Sequence, residues 1–145
     1  MKTGQFQGFS VELREPGIAW IQFTTPDRLN GFTQAIKRDL IETITQAQMD
    51  NAVRVLVFTG SGRAFSAGDD ISGQGKAFDG DSLMPSIPHG HDNEIGTYEG
   101  LRHLSQTLNL AVRNCDKIAI AAVNGLAIQT GMTLALACDF RIASE

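Results

Sequence analysis

The chain has 145 residues, the length of one domain with room for a substantial core, and 42% of them are hydrophobic, an ordinary globular share. The 12 Lys and Arg against 16 Asp and Glu leave a formal charge of −4, and only Lys37 and Arg38 adjoin. That argues weakly against a general nucleic-acid binder, which needs a basic face for phosphates. The N-terminus carries no apolar segment of a secretory signal. The most apolar stretch, residues 118–138, is too interrupted by Asn124, Gln129 and Thr130 to read as a membrane span.

Residues 9–13 and Ile18–Phe23 alternate apolar with polar positions around Glu15-Pro16-Gly17, which predicts a hairpin. Thr33 has the chemistry of an N-cap. Beyond it Ile36, Leu40, Ile41, Ile44 and Ala47 recur at helical spacing, so an amphipathic helix ending near Asp50 is expected. Residues 53–58 and Ile118–Val123 are apolar without clean alternation, as suits strands covered on both faces. Residues 72–96, rich in Gly, Pro, Ser and Asp and without periodicity, read as a long flexible loop within a single domain spanning 1–145. A second amphipathic helix follows, with Leu101, Leu104, Leu108, Ala111 and Val112 on its apolar face. A short helix over 131–137 and a last strand over Phe140–Ala143 complete the order, which is that of an α/β fold. Cys115 and Cys138 match no metal or redox spacing and read as buried free thiols in a reducing, cytoplasmic compartment.

Two segments carry the chemistry. One is Gly60-Ser61-Gly62-Arg63-Ala64-Phe65-Ser66-Ala67-Gly68-Asp69-Asp70-Ile71; the other is Ala122-Val123-Asn124-Gly125-Leu126-Ala127-Ile128-Gln129-Thr130-Gly131-Met132. Each reads as a strand running into a Gly-containing turn, and such turns leave backbone N–H groups without intrahelical partners. Two of them side by side can aim two N–H groups at one oxygen, the requirement for an oxyanion hole.

With Thr25-Pro26-Asp27-Arg28-Leu29-Asn30-Gly31-Phe32 and residues 135–144, these segments resemble, in order, the motifs of the crotonase family, the enoyl-CoA hydratase/isomerase superfamily. The resemblance implies a crotonase-like spiral of ββα units, here truncated before the C-terminal helical trimerisation region. It also implies an acyl-CoA thioester as substrate, no cofactor beyond the coenzyme A that the substrate carries, neither nucleic acid nor membrane as partner, and homo-oligomers (trimers or hexamers in the full-length family). By motif position the two donors would be the backbone N–H groups of Asp69 and Thr130, while Ala67, Gly68 and Ile71 would line the adenine and pantetheine channel. Asp70 would brace its loop rather than act in catalysis. Arg28 has two readings, a contact to a CoA phosphate or a solvated surface residue, and the loop 72–96 would shape the acyl pocket.

The departure from the pattern is Thr133. Hydratases of the family carry Glu there, in Gly-Gly-Gly-x-Glu-Leu, where this chain reads Gln129-Thr130-Gly131-Met132-Thr133-Leu134. A hydroxyl is a poor general base at neutral pH. The second family carboxylate would fall after Glu145, so an isomerase-like enzyme with its acid–base residue there is favoured over a syn-hydratase, and the 145 residues alone are expected to have little or no activity. The alternative is a non-catalytic module that binds CoA esters or assembles with a partner. His89 and His91 read as solvated loop residues rather than metal ligands, because no convincing third ligand accompanies them. His103 reads as structural, and Glu94, Tyr98 and Glu99 as residues within reach of an acyl pocket. No metal site is expected.

Overall fold

The computed structural model describes residues 1–70 and 94–144. A six-stranded sheet forms its spine, with strands β1 (Gly4–Phe6), β2 (Phe9–Arg14), β3 (Ile18–Phe23), β4 (Val55–Gly60), β6 (Ile118–Val123) and β8 (Phe140–Ala143). They lie side by side in that order. The β1–β2 and β2–β3 pairs are antiparallel, and every later pair is parallel. The expected hairpin is β2–β3, with Phe9 opposite Phe23 and Val11 opposite Ile21. The parallel half is entered through helices, as parallel strands require.

Helix α1 (Gln34–Met49) begins where Thr33 accepts a hydrogen bond from the Ile36 N–H, 3.2 Å, and its Ile36, Leu40, Ile44 and Ala47 are buried against the sheet. Helix α2 (Glu94–Gly100) continues through a π-helical turn, Leu101–Gln106, into α3 (Thr107–Arg113). That turn corrects one expectation. Leu101 is exposed and Leu104 only half-buried, while Ser105 takes an inward position. An i→i+5 turn widens the helix by one residue and rotates whatever precedes it off the stripe that Leu108 and Val112 hold. Residues 94–96 likewise belong to α2 rather than to a loop, and the remainder of the predicted loop lies outside the described residues.

Two strands escape the sequence pattern. β5 (Ala64–Ser66) and β7 (Leu126–Ala127) pair in parallel as a second, two-stranded sheet, where the sequence reads only turns. Helix α4 (Thr130–Ala137) follows β7 directly. Beneath β5 sits an aromatic cluster: Phe23 meets Phe32 and Phe65 edge-on, with ring centroids 4.8 and 5.4 Å apart, and all three rings are buried. Each ring in such a pair adds buried area and a geometric preference that fixes its neighbours. Cys138 is buried, as expected, but Cys115 is only half-buried; both are free thiols. Burial pushes the Cys138 thiol up to about 12, with the Asp139 carboxylate adding to the effect. Among the described residues no helix is long and apolar enough to cross a membrane.

Candidate functional site

The two motif segments meet at the β5–β7 pair. Beyond β5 the chain is zippered to residues 29–32. The Ala67 N–H donates to the Leu29 carbonyl, the Phe32 N–H to the Gly68 carbonyl at 2.7 Å, and the Asp70 N–H to the Phe32 carbonyl at 3.0 Å. On its other side the Ile128 N–H donates to the Ser66 carbonyl, 2.9 Å. The approach is close enough to exclude larger residues. A Cβ at Gly131 would lie 2.5 Å from the Ser66 carbonyl oxygen, and one at Gly68, where φ is +92°, would lie 2.7 Å from the Gln129 Cβ.

Two asparagines fix the preceding turn. Asn30, buried and at φ +56°, accepts from the Thr25 N–H and donates to the carbonyls of Ser61 (2.9 Å) and Ala64 (2.8 Å). Asn124 accepts from the Gly60 N–H and donates to the Gly62 and Ala64 carbonyls. Ser66 completes the frame, its hydroxyl donating to the Asn30 carbonyl at 2.8 Å. Side chains thereby satisfy the polar backbone of a turn that a sheet ladder cannot reach.

The structure brings Asp69 and Thr130 together. Their side chains touch, with the Thr130 hydroxyl donating to Asp69 Oδ1 at 2.5 Å. The backbone N–H of Thr130, at the first position of α4, has no acceptor among the described residues, although the residue is buried. The N–H of Asp69 donates to the side-chain oxygen of Gln129, 3.3 Å away. Gln129 itself stands at φ +49°, ψ −119°, a region natural to glycine. Lys37 reaches the same cluster from α1. Its ammonium lies 2.8 Å from Asp69 Oδ1 and donates to the Ser105 hydroxyl at 2.7 Å, with its side chain only 5% exposed.

Asp70 sits beside the cluster and is paired with Arg28, 3.2 Å away, its own side chain nearly buried. That contact and the Asp70 N–H bond to Phe32 fit a bracing carboxylate. Ala67 and Gly68 lie on the same loop, whereas Ile71, His89 and His91 fall outside the described residues. Thr133 turns its hydroxyl back onto the Thr130 carbonyl, 3.1 Å, and accepts from Asn109. His103 is exposed on the π-helical turn, Glu94 is exposed on α2, and Tyr98, likewise exposed, accepts a bond from Arg102.

The family model for enoyl-CoA hydratase/isomerase matches residues 14–145. The chain belongs to the enoyl-CoA hydratase/isomerase family. A probable enoyl-CoA hydratase of Mycobacterium tuberculosis is 39% identical over 137 residues, which are 93% of this chain and 44% of that relative. A probable peroxisomal enoyl-CoA hydratase of Arabidopsis thaliana is 35% identical over 93% of this chain and 44% of its own length. Among solved structures, an enoyl-CoA hydratase from Bacillus anthracis superposes with a TM-score of 0.78 at 29% identity, covering 94% of this chain and 47% of that one. A monofunctional enoyl-CoA isomerase from M. smegmatis gives 0.68 at 31% identity, covering 94% and 50%. The fold is therefore the crotonase fold, and the chain spans less than half the length of the curated relatives it matches.

Sequence reasoning missed three parts of this family member's site. Lys37 was legible only as one of two adjacent basic residues, because its partner lies 32 positions on. Asn30 appeared inside a motif with no role attached. Gln129 stood among glycine-type positions, and that substitution was itself a signal of a strained backbone.

Proposed function

We propose that this chain forms the oxyanion-binding half of an acyl-CoA enzyme of the enoyl-CoA hydratase/isomerase type, and that its chemistry is isomerase-like. The thioester carbonyl oxygen is received by the N–H groups of Asp69 and Thr130. A proton leaves the acyl carbon next to the carbonyl, the electron pair moves onto that oxygen, and the proton returns elsewhere on the chain. Fixed donors stabilise the oxyanion with little reorganisation, each at about 3 kcal/mol of barrier. The observation that carries the reading is the N–H of the buried residue Thr130 at the start of α4, without an acceptor among the described residues, beside an Asp69 N–H whose acceptor is a replaceable side-chain amide. Ala67 and Gly68 line the CoA channel. Arg28, about one-third exposed and holding Asp70, contacts a CoA phosphate. Coenzyme A enters as part of the substrate, and the two free thiols support a reducing compartment such as the cytoplasm.

Thr133 supports the isomerase preference, because hydration needs one group to activate water and another to protonate carbon, each worth roughly 10² to 10⁴ in rate. The named isomerase among the structural relatives is consistent with it. Thr133 equally favours a second reading, a module that holds CoA esters without turning them over. Titration calorimetry with butyryl-CoA and the loss of enoyl absorbance from crotonyl-CoA test the proposal. Ester binding with negligible hydration is expected; no measurable binding, or robust hydration, refutes it. Turnover of a 3-enoyl-CoA to its 2-enoyl isomer would overturn the reading as a binding module.

A further inference from the structure

Asp69 poses a problem for an anion site. Its N–H is a proposed donor, yet its carboxylate sits one side chain away from the oxygen that donor would receive. Asp70 follows immediately, so two carboxylates flank a place where negative charge must build. Like charges at that range repel strongly wherever water is partly excluded. The structure answers each carboxylate with a cation from an upstream segment: Arg28 meets Asp70 at 3.2 Å, and Lys37 meets Asp69 at 2.8 Å.

The Lys37 pair is the unusual one. Lysine is rarely buried unless paired, because stripping water from an ammonium is costly. Lys37 is 4% exposed, held between Asp69 Oδ1 and the Ser105 hydroxyl. The same Oδ1 accepts from the Thr130 hydroxyl. One oxygen thus joins three elements, α1 through Lys37, the loop after β5 through Asp69, and the start of α4 through Thr130, while Ser105 ties in the π-helical turn.

We propose that Lys37 is a positioning residue for the oxyanion site: its ion pair cancels the charge of the Asp69 carboxylate and fixes the oxygen to which the Thr130 hydroxyl also binds, so that the site accepts an anionic oxygen. The proposal rests on the reading of Asp69 and Thr130 as the donors and goes beyond it by assigning a role to a helix residue that does not touch the ligand. The ion pair acts on charge at the carbonyl oxygen, so its loss discriminates between a neutral ester and an enolate. An uncompensated carboxylate one side chain from the oxyanion, at the effective dielectric near a protein surface, corresponds to an enolate affinity about 10- to 100-fold lower after allowance for exposure.

The experiment titrates the 145-residue chain and three variants with butyryl-CoA, whose acyl group is neutral, and with acetoacetyl-CoA, whose enolate has its own near-ultraviolet band. Lys37→Met is expected to lose 10- to 100-fold in enolate binding and less than about threefold for butyryl-CoA. Lys37→Arg retains both. Lys37→Met combined with Asp69→Asn recovers most of the enolate affinity, because removing both charges restores neutrality; a merely structural lysine gives no such rescue. Circular dichroism of each variant checks folding, and a Lys37→Met chain that unfolds is replaced by Lys37→Gln in the same comparison. Equal losses for the two esters, or no rescue by Asp69→Asn, overturn the inference while leaving the donors in place. Failure of the unaltered chain to bind either ester overturns the donor reading and this inference with it.

Discussion

Gln129 offers a test in which stability and binding separate. Its backbone lies at φ +49°, ψ −119°, the conformation of a first central residue in a II′ turn, where glycine is preferred. A side chain held in such a region costs about 1–3 kcal/mol. Replacing Gln129 by Gly removes that strain, returns about 0.5–1 kcal/mol through the greater backbone entropy of unfolded glycine, and loses one long, exposed hydrogen bond to the Asp69 N–H, 3.3 Å, worth less than about 1 kcal/mol. The balance is a stabilisation of about 1 kcal/mol, or roughly 3 °C in Tm for a chain of this length. The same change frees the Asp69 donor, and one net hydrogen bond of about 1 kcal/mol corresponds to about fivefold tighter binding of a CoA ester. Gln129→Ala is the internal control: it frees the donor but keeps the strain, so it gains affinity without gaining Tm. Differential scanning calorimetry and titration with butyryl-CoA measure both quantities. A Gln129→Gly chain that melts lower and binds no tighter refutes the reasoning, as does an Ala variant that gains as much in Tm as the Gly variant.

Other expectations follow from the same contacts. Asn30→Ala strips partners from the Thr25 N–H and the Ser61 carbonyl and weakens the hold on Ala64. Each buried group left unsatisfied costs about 1–3 kcal/mol, so a loss of about 3 kcal/mol in urea unfolding is expected, and a loss below about 1 kcal/mol contradicts the staple. Thr33→Ala removes the cap on the Ile36 N–H and should cost about 1 kcal/mol by the same measurement. Cys138 ionises near 9.0 when unfolded and near about 12 when folded. Its contribution to stability is therefore full below pH 9 and falls as pH rises towards 12, because the unfolded chain loses the proton first. At pH 8 the thiol should resist a disulfide reagent in the native chain and react in urea; fast native labelling contradicts the burial. Finally, Met132, Leu136, Phe140 and Ile142 are exposed on α4 and the edge strand β8, a combination that favours association. Light scattering at high concentration should show oligomers, and a clean monomer counts against this.

The elements that can be read from the sequence are those whose signal is local. The β2–β3 hairpin announces itself by alternation, α1 by its spacing and by Thr33, and β6 by an apolar run of the length the structure gives it. The losses are equally physical. β5 and β7 are three and two residues long, too short for any period, and the turn leading into β5 is held by the Asn30 and Asn124 side chains. The stripe expected on the second helix fails at Leu101 because the widened turn at Leu101–Gln106 changes the residues per turn, and nothing in Leu-Arg-His-Leu-Ser-Gln signals that change. The donor loops were legible through their glycines, which the close approach of Gly68 and Gly131 to neighbouring backbone requires. Their charge balance was not, because a buried lysine on a helix flank looks like a solvated one until its partner is found.

The residues that depart from the family's motifs are not scattered. Gln129 and Thr130 stand where the family pattern has glycines, and in the fold both touch Asp69, whose carboxylate accepts from the Thr130 hydroxyl and whose N–H donates to the Gln129 side-chain oxygen. Lys37, from a segment outside those motifs, closes the group. Each group supplies what another demands: the carboxylate needs the cation, the cation's burial needs the carboxylate and Ser105, and the Thr130 hydroxyl shares the same carboxylate oxygen. Coupled residues of this kind are non-additive when altered singly. The cluster therefore behaves as one unit around the Asp69 and Thr130 N–H groups, and substitutions within it are informative only when the residues are exchanged together.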